Sequence, residues 1–198
     1  MALPSTYAEP NCSLARALEV VGERWTLLIV RDAFFGVRRF GDFATQLKIP
    51  RAVLTSRLKS LVQEGVLSRD ESGGVVEYRL TDRGLALWPV IRALLHWGDE
   101  SYSPAGVKRA LRHDADGGLI DPENRCQDCG EVIAVPAIRI EPGPGYRPSG
   151  RDLDPVSAEI SQPRLLLEPV TAGRAPRATA DGPRTRDSIA DCATRGKA

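Results

Sequence analysis

The stretch from Arg39 to Leu80 constrains the fold most, because its hydrophobic period switches there from helical to alternating. Arg39 to Leu47 carries Phe40, Phe43 and Leu47 at helical spacing. Pro50 to Glu64 carries Leu54, Leu58 and Leu61 likewise, opens on a proline at a first-turn position and closes at Gly65. The step between them, Leu47 to Pro50, is short enough for the tight turn of a helix-turn-helix. Val66 to Asp70 and Val75 to Leu80 then read as strands. The second puts Val76, Tyr78 and Leu80 on one face, Glu77 and Arg79 on the other. Glu71-Ser72-Gly73-Gly74 is the turn between them.

The flanks extend this order. Ser13 to Val21 is a short helix with Leu14, Leu18 and Val21 on one face, ended by Gly22. Arg24 to Phe35, stopped by Gly36, is apolar nearly all round and should be the buried centre. After the hairpin, Thr81 caps one long helix to about Glu100, with Pro89 inside it expected to kink it or free a carbonyl. The pattern predicts an α+β, mostly α fold: a winged helix-turn-helix of three to four helices plus a β-hairpin wing, with a long C-terminal dimerisation helix.

Composition changes near residue 103. Every Trp and Phe lies before it, and eleven of the 15 Pro lie after it. The expected division is an N-terminal arm (1–11), a winged-helix domain (12–102), a degenerate ribbon-like appendage (103–146) and a largely disordered tail (147–198). On this reading a chain ending near Tyr102 suffices for DNA binding. No charged segment followed by an apolar run opens the sequence, and no apolar stretch approaches a bilayer span. The expectation is therefore a cytoplasmic protein without a membrane partner.

The net charge is only +1, so a nucleic-acid site has to come from charge arrangement. From Arg38 to Lys59 there are six basic residues (Arg38, Arg39, Lys48, Arg51, Arg57, Lys59) against one acid, Asp42. With Leu54, Leu58 and Leu61 facing the core, Ala52, Ser56, Lys59 and Gln63 point away, and Thr55 flanks them. Small side chains allow close approach to a groove, and basic ones supply phosphate contacts. The expected DNA-binding set is Arg38, Arg39, Lys48, Pro50, Arg51, Ala52, Thr55, Ser56, Arg57 and Lys59, with Arg69 and Arg79 on the hairpin. Arg51, Thr55 and Ser56 are assigned to base edges; Arg38, Arg39 and Lys59 are assigned to phosphates. The competing reading is a winged helix that binds protein and not a specific DNA sequence. No nucleophile–base set, phosphate-binding glycine loop or paired catalytic carboxylates is apparent, so no enzyme and no catalytic residue is expected.

In the last helix, Arg92, His96, Asp99 and Glu100 share one narrow side. Apolar residues fill an arc of roughly 200°, where packing on one domain needs about 100°. The excess predicts a homodimer through Trp88, Ile91, Leu94, Leu95 and Trp97; burial under the chain's own tail is the alternative. Among the four cysteines, Cys126-Gln-Asp-Cys129-Gly130 has metal-knuckle spacing.

Cys12 to Leu18, Gly22 to Asp32 (GERWTLLIVRD), Arg39 to Phe43, Ile49 to Lys59, Glu64 to Leu67, Glu77 to Thr81 and Trp97-Gly98 together resemble the HxlR family of bacterial regulators. The resemblance covers about residues 12 to 100. It implies a homodimeric winged helix on operator DNA, with Pro50 to Lys59 as recognition helix and Glu71 to Val75 as wing tip. The hairpin here is shorter than the family's and has no basic residue at its tip. The family also implies a small-molecule or redox effector. Cys12 would be its target at a helix start, where a thiolate is favoured; the other reading of Cys12 is a small buried apolar residue. Longer members carry His-x-x-Cys-Gly-His before the CxxC and Gly-Pro-Gly after it. Here His113-Asp-Ala-Asp116-Gly117-Gly118 and Gly143-Pro144-Gly145 stand in those places. The expectation is no metal and no cofactor; His113, Asp116, Cys126 and Cys129 are the one set that could hold a structural Zn²⁺.

Overall fold

The computed structural model describes residues 12–147 and 154–172. The expected N-terminal arm, the tail beyond 172 and Cys192 lie outside the described residues. Helices α1 (Ser13–Val21), α2 (Thr26–Phe34), α3 (Phe40–Leu47) and α4 (Arg51–Gln63) come first. The antiparallel hairpin β1 (Leu67–Asp70) and β2 (Glu77–Leu80) follows. Lys48 takes a left-handed conformation between α3 and α4 (φ 49°), which turns the chain within the expected short step. Buried Ile49 pins that turn to the core. The Tyr78 amide donates to the Arg38 carbonyl at 2.7 Å, tying the hairpin to the start of α3.

The helix expected from Thr81 to Glu100 is two helices. Thr81 caps the short α5 (Asp82–Leu85), its hydroxyl oxygen accepting from the Gly84 amide at 3.1 Å. The chain restarts as α6 (Trp88–Tyr102). Pro89 lies in the first turn of α6, where its missing N–H has no intrahelical acceptor to lose. It starts a helix and does not kink one.

The second half is more ordered than its composition suggests. Strands β3 (Arg109–His113), β4 (Ile138–Pro142) and β5 (Arg164–Leu165) form an antiparallel sheet in the order β3-β4-β5, and α7 (Pro155–Ile160) precedes β5. The register sets Leu111 opposite Ile140 and His113 opposite Ile138. Leu111, Ile138 and Ile140 are buried and share one continuous core with Phe34, Phe43, Leu54, Trp88 and Ile91.

Residues 154–172 therefore depart from the expected disordered tail. Leu166 and Val170 are buried. The Leu167 amide donates to the Phe34 carbonyl at 2.7 Å, and the Val170 amide to the Gly36 carbonyl at 2.9 Å. The last carbonyl of α2, that of Phe34, and that of Gly36 just past its end are thus satisfied by the returning chain. Gly36 (φ 89°) is required there, because an added Cβ would overlap the Glu168 carbonyl. Helix α7 meets α3 through Ser157, whose hydroxyl donates to the Gln46 Oε1 at 2.6 Å.

Candidate nucleic-acid interface

Helix α4 is fixed in rotation by Leu54, Leu58 and Leu61, all at most 1% exposed. The opposite side carries exposed Arg51, Ala52, Thr55, Ser56, Lys59 and Gln63. Exposed Lys48 and Pro50 stand at the head of this side, and Pro50 is the N-cap without a side-chain cap. The first amides of α4 therefore keep their donors pointed outward beside Arg51. The Thr55 hydroxyl donates back to the Arg51 carbonyl at 2.9 Å, which leaves the Thr55 methyl and oxygen lone pair for a ligand.

The basic residues divide into two groups. Among the described residues, Lys48, Arg51 and Lys59 have no carboxylate within ion-pairing distance. The Arg51 guanidinium lies over the Phe40 ring at 5.8 Å, braced from α3. The others are engaged. Arg57 faces Glu23 at 3.3 Å and Arg39 faces Glu77 at 3.6 Å. Arg38 donates to the Leu167 carbonyl at 3.0 Å. On the hairpin, Arg69 pairs with Glu71, and Arg79 with Glu77 and Asp70. The positive field is therefore concentrated on the start and outer face of α4. The expected hairpin cations Arg69 and Arg79 are largely neutralised by their own strands. The engagement of Arg38 by the C-terminal segment was missed at the sequence level. Its signal was the apolar run Leu165-Leu166-Leu167.

The expected dimer residues also divide. Trp88 and Ile91 are each 3% exposed within their own chain. Trp88 packs on Phe34 with ring centroids 5.0 Å apart and donates through Nε1 to Asn124 at 2.9 Å. These two are core residues and are unavailable to a partner. Leu95 is half-buried against the same core. Leu94 and Trp97 remain exposed, at 46% and 58%, as do Val90 four residues before Leu94 and, on α1, Leu14 and Leu18. On the polar side of α6, Arg92 turns inward and donates to the Ile120 and Asp121 carbonyls at 3.1 and 2.9 Å. His96 lies beside Glu100 at 3.4 Å on the surface.

Cys12 is the N-cap residue of α1 and is exposed, so the buried reading is set aside. His113, Asp116, Cys126 and Cys129 converge, one ligand atom from each lying within 4.8 Å of the others. The Gly118 amide donates to Asp116 Oδ1 at 2.9 Å and holds that carboxyl well below the usual carboxylate range. No helix among the described residues is long and apolar enough to cross a membrane.

Comparison with known proteins identifies the family of the fold. Residues 20–105 match the HxlR-like helix-turn-helix family. The chain is 49% identical over 139 residues to Rv3095, an uncharacterized HTH-type transcriptional regulator of Mycobacterium tuberculosis strain H37Rv; the match covers 68% of this chain and 88% of that protein. Another uncharacterized HTH-type transcriptional regulator, YvaP of Bacillus subtilis strain 168, is 36% identical over 94 residues, which cover 46% of this chain and 87% of YvaP. The crystal structure of PA1607, described as a candidate transcription factor, superposes with a TM-score of 0.55 at 38% identity, over 65% of this chain and 92% of that one. The likeness to Rv3095 is longer than the family span itself, so it continues outside the winged helix. The chain belongs to the HxlR-like helix-turn-helix family of transcriptional regulators.

Proposed function

We infer that the protein is a homodimeric, sequence-specific DNA-binding regulator that reads its operator with α4. The carrying observation is the coincidence, on the exposed face and leading end of α4, of small side chains (Ala52, Ser56) with cations that have no carboxylate partner among the described residues (Lys48, Arg51, Lys59). Arg51, at the leading end of the helix, is the candidate for a bidentate base contact; Lys48 and Lys59 act on phosphates. The neutralised hairpin contributes position more than charge. A second copy of the chain covers Leu94 and Trp97 on α6, which leaves two α4 helices to meet successive grooves. Exposed Cys12 gives a redox effector an accessible thiol. Oxidation of a Cys12→Ser variant that changes DNA affinity as much as in the parent would remove that role.

Selection of bound duplexes from a random pool tests the reading. The expected product is a two-fold motif with half-sites about 10 base pairs apart, or a multiple of that. Retention of unrelated duplexes with no shared motif would favour the protein-interaction reading.

A further inference from the structure

We propose that His113, Asp116, Cys126 and Cys129 bind one Zn²⁺ in a closed tetrahedral site that clamps the appendage onto α6. The donors come from two loops. His113 ends β3, and the chain turns through Asp116 and Gly117 (φ 79°), so that the Gly118 carbonyl accepts from the His113 amide at 2.8 Å. Cys126 and Cys129 bracket a second tight turn, closed by the Gly130 amide donating to the Cys126 carbonyl at 2.9 Å with Gly130 at φ 74°.

The spacing of the donor atoms is the principal argument. Around a tetrahedral Zn²⁺, bond lengths of ~2.3 Å to sulfur and ~2.0–2.2 Å to nitrogen and oxygen set S···N and S···O edges of about 3.6 Å and an N···O edge of about 3.4 Å. Here Cys129 Sγ lies 3.6 Å from His113 Nδ1 and Cys126 Sγ lies 3.5 Å from Asp116 Oδ2. His113 Nδ1 and Asp116 Oδ2 are 3.0 Å apart. The other carboxylate oxygen, Oδ1, is held by the Gly118 amide, which orients the ligand from behind. Gly118 is itself necessary, because a Cβ there would overlap Cys126 Sγ. Both cysteines are free thiols in this arrangement. Two sulfurs, an imidazole and a carboxylate suit Zn²⁺ over Mg²⁺ or Ca²⁺, and four protein donors leave no open position for catalysis.

The site has a mechanical consequence. The segment between the two loops supplies the Ile120 and Asp121 carbonyls to Arg92 and the Asn124 side chain to Trp88. Metal binding therefore fixes the segment that holds the first half of α6.

The test uses the full chain, purified under reducing conditions. Elemental analysis should give one Zn²⁺ per chain. Replacement by Co²⁺ should give the intense thiolate-to-metal charge-transfer bands of a tetrahedral sulfur site. Cys126 is buried, so the variants are placed at exposed Cys129 and Asp116. Cys129→Ser and Asp116→Asn should each weaken metal binding at least ~10–100-fold, the range lost when even an outer partner is removed. Both should keep the parent's far-ultraviolet circular dichroism. A reduced chain in which all four cysteines titrate as thiols and that takes up no metal would overturn the proposal. So would a Cys126–Cys129 disulfide whose reduction frees both thiols without restoring metal uptake, or full occupancy in Cys129→Ser.

Discussion

Asp32 is fully buried on α2, and its Oδ1 accepts two hydrogen bonds from Arg31 while Oδ2 has no hydrogen-bond partner among the described residues. Burial pushes its carboxyl above the usual range, against the opposing pull of Arg31. The sign of the pH dependence follows. Below the ordinary carboxylate pKa, Asp32 is protonated in both folded and unfolded chains and its burial costs little. As pH rises toward the raised folded value, the unfolded chain ionises first, and stability is lost. Asp32→Asn should therefore match the parent in acid and gain on it toward neutral pH, as urea unfolding at several pH values would show. A gap that widens toward acid would mean that Arg31 holds the carboxylate ionised. At Gly36, alanine must adopt φ 89° against the Glu168 carbonyl. The expected loss exceeds ~1 kcal/mol, read as a lower urea midpoint. Neither feature is legible beforehand: Asp32 sits within an apolar helical pattern, and the need for Gly36 comes from the Glu168 carbonyl, more than a hundred residues later.

Among the elements, the spacing of Leu54, Leu58 and Leu61 gave the rotation of α4 correctly, because a helix with one narrow leucine stripe has a single way to face a core. The same wheel misplaced α6. The excess of its apolar arc was assigned to a dimer partner, with the chain's own tail as the alternative, but Trp88 and Ile91 complete the chain's own core, and Arg92 on the polar side docks under Ile120 and Asp121. A wheel counts faces and cannot say which neighbour covers each. The break before α6 was hidden because Thr81 is a good cap wherever the helix that follows ends. What remains exposed on α6 sharpens the dimer prediction. Leu94→Asp with Trp97→Asp should give a folded monomer by light scattering, since neither side chain supports the core. An unchanged dimer would place the interface elsewhere.

At the scale of the whole molecule, the winged helix and the appendage are one body. Composition suggested a boundary near residue 103, because Trp and Phe stop before it. Ile120, Ile133, Ile138, Ile140, Val156, Ile160, Leu166 and Val170 supply the core instead, spread among prolines that mask them. A chain ending at Tyr102 loses the donors to Phe34 and Gly36, the partner of Trp88 and the support of α3. It should unfold at a lower temperature than the full chain and expose apolar surface, and not act as a self-sufficient DNA-binding unit. Circular dichroism melts of both chains check this. The central claim, that the outer face of α4 reads DNA, is tested most directly by titrating the parent, Arg51→Ala and Lys59→Ala on the selected and a random duplex at several salt concentrations. Arg51→Ala should weaken the selected site by ~1–3 kcal/mol more than random DNA. Lys59→Ala should weaken both about equally and lower the slope of log affinity against log salt by roughly 0.9 per lost phosphate contact in each subunit. An unchanged specificity ratio in Arg51→Ala, together with its collapse in Lys59→Ala, would contradict the account.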